Sequence, residues 1–216
     1  MGSRMNTGLP KQFMPIAGVP MLAYSIRAFH GYDPSIEIII AIPEGFEDQW
    51  KKLAHEIHLD IPYHIVNGGS ERFYSVGNVL NAINHHGECV VAIHDAARPF
   101  VSIDLIDKAF KNAIHAGSAI PSIHVKDTLR VKLMDEWATA DRSMFRAIQT
   151  PQVFNLSLLK SAYTQSYNQK FTDDATVFET AGNKIYLIDG EEDNFKITTN
   201  ADLDYAEYLI QSKKTS

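Results

Sequence analysis

Two short, nearly continuous apolar runs stand out in the first half of the chain. One is Ile36-Glu37-Ile38-Ile39-Ile40-Ala41-Ile42, stopped by Pro43; the other runs from Glu88 to Ile93 and ends at His94-Asp95. Runs of this length bounded by turn residues suit strands buried on both faces. Ser118 to Val125 and Lys184 to Ile188 are further strand candidates. Between them apolar residues recur at helical spacing. Leu22, Ile26 and Phe29 form one stripe, Val76, Leu80 and Ile83 another, and Ile103, Ile106 and Phe110 a third behind Ser102, a cap candidate. Strands alternating with amphipathic helices predict βα units, hence one α/β domain over residues 1–216 built on a mostly parallel sheet. Ligands of such sheets bind beyond the carboxyl ends of the strands.

Lys126 to Phe154 breaks the alternation. Its segments Asp127 to Leu133, Trp137 to Arg142 and Phe145 to Phe154 predict an extended β arm rather than a βα unit. A projecting arm must cover its apolar side chains, and a second copy of the chain is the simplest cover.

With 216 residues the chain can bury one sizeable core. Its net charge of −6 argues against a nucleic-acid protein, although a few converging Lys and Arg can still build a local anion site. Cys89, the single cysteine, lies inside an apolar run and reads as an inert core thiol; one thiol cannot staple a secreted fold. No apolar run approaches the roughly 20 residues of a membrane span. The expected location is the cytoplasm.

Four clusters carry candidate chemistry, each with a plainer reading beside it. Gly2-Ser3-Arg4-Met5 followed by Pro10-Lys11-Gln12-Phe13 is a basic loop, which exposure alone would explain. Gly68-Gly69-Ser70-Glu71-Arg72 joins a strand around Ile65 to the helix carrying Val76. Glycines there let backbone N–H groups approach an anion or a base edge, and a simple turn capped by Ser70 accounts for the same residues. His94-Asp95-Ala96-Ala97-Arg98-Pro99 follows a buried strand directly, placing an acid and a base where ligands bind or where an ion pair steadies a turn. In Asn194-Phe195-Lys196-Ile197-Thr198, Lys196 alternates with apolar neighbours and points either into a cleft or to solvent; Asn200 to Leu203 reads as a capped helix start. The histidines show no metal-like spacing, and no paired carboxylates or Ser/His/Asp triad emerge.

Taken in order, these pieces resemble the 2-C-methyl-D-erythritol 4-phosphate cytidylyltransferases along essentially the whole chain. To the four clusters the resemblance adds Ser75-Val76, Asp127-Thr128, Asp141-Arg142-Ser143, Gln149-Thr150-Pro151-Gln152 and Thr172-Asp173-Asp174-Ala175. It implies a Rossmann-like nucleotidyltransferase fold with a β arm that exchanges contacts in a homodimer. It also implies CTP, a sugar-alcohol phosphate and Mg²⁺, the metal held mainly by the triphosphate. By the same resemblance Arg4 and Lys11 match residues that stabilise charge on the α-phosphate, and Arg142 and Lys196 match those that position the attacking phosphate. Asp95, Arg98, Thr128 and Thr150 match the methylerythritol phosphate pocket; Gly2, Gly69, Ser70, Arg72, Ser75 and Ala96 match CTP-binding positions. The chemistry suits these residue types, because a phosphate nucleophile is already anionic and needs positioning and electrostatic help rather than a base.

Two departures from the family pattern stand out. The family begins with a buried strand running into a glycine-containing turn, whereas this chain opens within the loop that follows, so the first strand is expected to lie upstream of Met1. Phe73 stands where relatives often carry a polar residue. Two rival readings remain at this level: a ribitol 5-phosphate cytidylyltransferase on the same core, and an inactive nucleotide-binding homologue. Thr128 and Arg142 favour methylerythritol phosphate over ribitol phosphate.

Overall fold

The computed structural model describes residues 9–85 and 87–215. After two short paired strands, β1 (Pro15–Ile16) and β2 (Val19–Pro20), come helix α1 (Met21–Tyr32), strand β3 (Ile39–Ile42), α2 (Glu47–Glu56) and β4 (His64–Asn67). The chain continues with α3 (Arg72–Ala82), β5 (Val90–Ile93), α4 (Ile103–Ala116), β6 (Ser118–His124) and a hairpin of β7 (Leu129–Leu133) and β8 (Glu136–Ala140). It closes with β9 (Arg146–Ile148), β10 (Gln152–Asn155), α5 (Leu156–Ala162), α6 (Asp174–Thr180), β11 (Leu187–Asp189) and α7 (Asn200–Thr215). The alternation predicted from the apolar pattern is present, and the fold is α/β.

The sheet is mixed. β10 lies antiparallel between β5 and β6, β9 pairs antiparallel with β6, and β11 pairs with β6 in parallel. The antiparallel strands are those that follow the hairpin, because a chain returning from a projecting excursion enters the sheet in the opposite sense. The arm therefore ends earlier than the apolar pattern implied: β9 and β10 belong to the main sheet, and only the β7–β8 hairpin and its flanks stand apart. Arm residues Leu133, Met134, Trp137 and Met144 are exposed, while Val153 and Phe154 are fully buried.

β3 pairs in parallel with β4, and among the described residues neither β3 nor β5 pairs along its other edge. Between these two strands lies an apolar groove of about 280 Å³, lined by Ile26, Ile38, Ile40, Val91, His94 and Leu156 among others. β3 is consequently buried at Ile40 and Ile42 and half-buried at Ile39 and Ala41, short of the burial on both faces that its run of isoleucines predicts.

The helices follow local signals, with two corrections. α4 is capped by Ser102, whose Oγ accepts from Leu105 N–H at 3.0 Å, and ends at Gly117 with φ 85°, the left-handed geometry a helix stop favours. Its buried face is Leu105, Ile106, Ala109 and Ala113, so Ile103 of the predicted stripe is instead 49% exposed. α3 starts at Arg72 behind Glu71 with no side-chain cap, so Ser70 does not cap it. Ser75 Oγ straps the turn instead, accepting from Gly69 N–H at 2.9 Å and donating to the Glu71 carbonyl at 3.2 Å. Phe73 is buried and stacks on Tyr163 with ring centroids 4.8 Å apart, which places this family departure in the core.

Candidate active site

The carboxyl ends of β4 and β5 and the entry to β10 bring the candidate motifs to one place. Gly68-Gly69 leaves β4, His94-Asp95 leaves β5, and Thr150 precedes Gln152, which pairs with Ile93 across the sheet. Gly69 is required by space: a Cβ there would sit 2.3 Å from Tyr74 Cβ and 3.0 Å from its backbone carbon. The Thr150–Pro151 peptide is cis.

Asp95 is the hub. Its carboxylate accepts from Lys196 Nζ at 2.7 Å and, longer, from Arg72 Nε at 3.4 Å. Burial alone would raise this carboxyl, but the charges of Arg72 and Lys196 outweigh it and hold the pKa at about 2, so Asp95 is ionised at neutral pH. Its backbone N–H donates to Thr150 Oγ1 at 3.0 Å. Lys196 is reached because Ile197 is buried and its N–H donates to the Ala97 carbonyl at 2.8 Å, which ties the segment to the loop after β5.

Arg72 is held mainly from behind. Its Nη1 and Nη2 donate to the carboxylate of Asp174 at 2.8 and 2.5 Å, and Tyr163 donates its hydroxyl to the same carboxylate at 2.6 Å. Asp174 is 0% exposed. Burial would lower the Arg72 pKa, but Asp174 reverses that and raises it; burial and then Asp174 raise that of Tyr163. Arg72 is thus chiefly a strut between Asp174 and Asp95, although its resemblance-based role is CTP binding. Asp174 and Tyr163 were missed as site residues. Thr172-Asp173-Asp174-Ala175 was visible as a motif, but nothing local signals that its second acid faces an arginine 102 positions away.

Arg98 spends one terminal nitrogen on the Asn194 carbonyl at 2.7 Å and the other on the Ile148 carbonyl at 3.2 Å, tying the Lys196 segment to the end of β9. Its buried Nε and the nearby buried Asn194 Oδ1 have no hydrogen-bond partner among the described residues. Gln149 fills the space beside Gly190, where a Cβ would lie 2.3 Å from its Oε1, and its Nε2 donates to the Glu191 carbonyl at 2.7 Å. Lys11 stands on a 3-10 turn anchored by Phe13, which is 1% exposed and stacks on Trp50 at 5.5 Å. Burying such a ring is worth roughly 2–3 kcal/mol, enough to fix the turn. Burial first, then the neighbouring charge of Lys196, lowers the Lys11 pKa. The two ammonium groups therefore share one region.

The remaining expected residues divide. Ala96 packs beside the cluster containing Ile40, and Ser70 is exposed at the turn. Thr128 and Arg142 are exposed on the arm, where Arg142 donates to the Lys126 carbonyl, and among the described residues no hydrogen bond joins them to the Asp95 cluster. Gly2 and Arg4 lie outside the described residues. Among the described residues no three His, Cys, Asp or Glu side chains gather as a metal site. Both Asp95 oxygens are engaged by cations.

The sequence profile of the 2-C-methyl-D-erythritol 4-phosphate cytidylyltransferase family matches residues 1–212. A relative of that name from Bacteroides fragilis is 43% identical over 209 residues, covering 97% of this chain and 94% of its own. One from Bacillus velezensis is 37% identical over 216 residues, covering 98% of this chain and 92% of its own. The crystal structure of 2-C-methyl-D-erythritol 4-phosphate cytidylyltransferase from Thermus thermophilus superimposes with a TM-score of 0.78 at 31% identity, covering 94% of each chain. That of 4-diphosphocytidyl-2C-methyl-D-erythritol synthase from Anaerococcus prevotii gives a TM-score of 0.82 at 28% identity, covering 94% of this chain and 91% of its own. With its hub of Asp95, Lys196 and Thr150 at the strand ends, the chain belongs to the 2-C-methyl-D-erythritol 4-phosphate cytidylyltransferase family.

Proposed function

We propose that the chain joins CTP to 2-C-methyl-D-erythritol 4-phosphate, giving 4-diphosphocytidyl-2-C-methyl-D-erythritol and pyrophosphate, in isoprenoid biosynthesis. The observation that carries this is the division of the site into two halves. Lys11, Lys196 and Arg98 offer cationic donors, and Asp95 and Thr150 offer acceptors beside them. A polyol phosphate needs both: cations for its phosphate and acceptors for its hydroxyls.

In this reaction an oxygen of the methylerythritol phosphate attacks the α-phosphorus of CTP. The new P–O bond forms as the bond to the β-phosphate oxygen breaks, and pyrophosphate leaves with that electron pair. No base is required, because the attacking phosphate is anionic at neutral pH. Lys11, joined by Arg4, bears charge on the α-phosphate, and Lys196, oriented by Asp95, brings in the nucleophile. Gly69, Ser70, Ser75 and Ala96 form the wall at the cytosine. Magnesium enters on the triphosphate of CTP, as part of that substrate.

The arm supplies the remaining parts. Trp137, 64% exposed, and Met134, 96% exposed, lie on a hairpin that a second copy of the chain would cover, making a homodimer. Thr128 and Arg142 then complete the partner's site. CTP, a sugar phosphate and the lone Cys89 all fit a cytoplasmic enzyme. Pyrophosphate release assayed with CTP, Mg²⁺ and either methylerythritol phosphate or ribitol 5-phosphate tests the reading. Much faster turnover with methylerythritol phosphate is expected. The reverse preference would overturn the assignment of substrate, and CTP binding without turnover would support an inactive homologue.

A further inference from the structure

Thr150 is held by two groups whose chemistry dictates where its proton goes. His94 Nε2 lies 3.1 Å from the Arg98 carbonyl oxygen, and His94 Nδ1 lies 3.1 Å from Thr150 Oγ1. A carbonyl oxygen has only lone pairs, so Nε2 must carry the ring proton and donate it. The other ring nitrogen is then bare in the neutral imidazole. Burial foremost pulls the His94 pKa down to about 4, so the ring is neutral at physiological pH. Phe29, edge-on at 5.4 Å between centroids, brings neither donor nor acceptor to the ring.

A hydroxyl has one proton and two lone pairs. The Thr150 proton is directed to His94 Nδ1, and one lone pair takes the Asp95 backbone N–H at 3.0 Å. One lone pair is left. Thr150 Oγ1 therefore offers a ligand an acceptor and nothing else. Thr150 is 5% exposed, so little of it faces solvent.

We infer that His94 is a positioning residue: its bare Nδ1 takes the Thr150 proton, so that Thr150 Oγ1 presents an acceptor alone and selects a substrate hydroxyl at that point. A phosphate oxygen set against Thr150 Oγ1 would meet a lone pair, so the substrate phosphate is left to Lys196. The inference rests on the proposed pocket for methylerythritol phosphate. It adds a residue to that pocket and assigns the direction of a hydrogen bond.

Two measurements test it. Two-bond proton–nitrogen correlation spectra of the free protein, labelled with ¹⁵N in its imidazoles, read the tautomer at neutral pH; the His94 resonances are assigned by their loss in His94→Gln. Nε2 is expected protonated and Nδ1 bare, and Thr150→Val should shift Nδ1 while leaving Nε2 in place. Kinetics with methylerythritol phosphate and its monodeoxy analogues provide the second arm. The unmodified chain should disfavour one analogue by about tenfold or more in kcat/KM. Thr150→Val should reduce that preference to within about threefold, whatever the fall in overall rate, while Thr150→Ser retains it. A proton on Nδ1, or a preference that survives Thr150→Val, would overturn the inference. Absence of turnover by the unmodified chain would instead overturn the functional reading, and the ring proton would still be decided by the spectra.

Discussion

Replacing Asp174 by Asn attacks the strut behind the site at its most buried point. Asp174 is 0% exposed and accepts from Arg72 at 2.8 and 2.5 Å and from Tyr163 at 2.6 Å. Asparagine keeps the shape, removes the charge, and turns one oxygen into a donor facing a guanidinium or a hydroxyl. Removing one partner of a buried pair costs roughly 3–5 kcal/mol. Here the Arg72 side chain is 36% exposed and keeps Asp95 at 3.4 Å, so the lower end applies. We expect a loss of about 3 kcal/mol in urea unfolding, or a fall of roughly 6–12 °C in Tm for a chain of this size. Arg72 freed from Asp174 is left with Asp95 alone and competes with Lys196 for it, so kcat/KM should fall by about tenfold or more, equivalent to roughly 1.4 kcal/mol. Tyr163→Phe should cost about 1.5 kcal/mol in the same unfolding assay, the value of one hydrogen bond to a charged acceptor. The double change Arg72→Met with Asp174→Leu removes both charges and should regain most of the stability. It should not regain the rate, because Asp95 has lost its brace. Melting of Asp174→Asn within a degree of the unmodified chain, or full activity of the double variant, would refute the strut.

Two further expectations are testable. His94 binds its proton more weakly folded (pKa about 4) than unfolded (about 6.5), so its contribution is full above pH 6.5 and lost as pH falls to 4. Stability should drop by up to about 3 kcal/mol over that interval, and His94→Gln should flatten the slope; parallel slopes for the two proteins would contradict the assignment. If the arm completes the partner's site, mixing Arg142→Ala chains with Lys11→Ala chains should restore activity through hybrid dimers. No recovery despite verified subunit exchange would place both residues in one subunit's site.

Much of the frame was legible because its signals are local. The stripes in α1 and α3, the cap at Ser102 and the run of β6 each involve residues within a turn or two of one another, where 3.6- and 2-residue periods act directly. The order of short motifs likewise identified the family, since chemistry at strand ends constrains residue types in sequence. What the sequence could not determine was set by contacts between distant positions. That Arg72 faces Asp174, 102 residues on, depends on α6 packing behind α3, and no periodicity reports a pairing at that range. The reversed direction of β10, the shortened arm and the exposure of Ile103 are decided by which neighbours the sheet and helices find once packed. So is the direction of the Thr150 proton: the residues were visible as His94-Asp95 and Gln149-Thr150, but only the fold brings a carbonyl to Nε2 and leaves Nδ1 bare, because hydrogen-bond direction is a property of three groups in space.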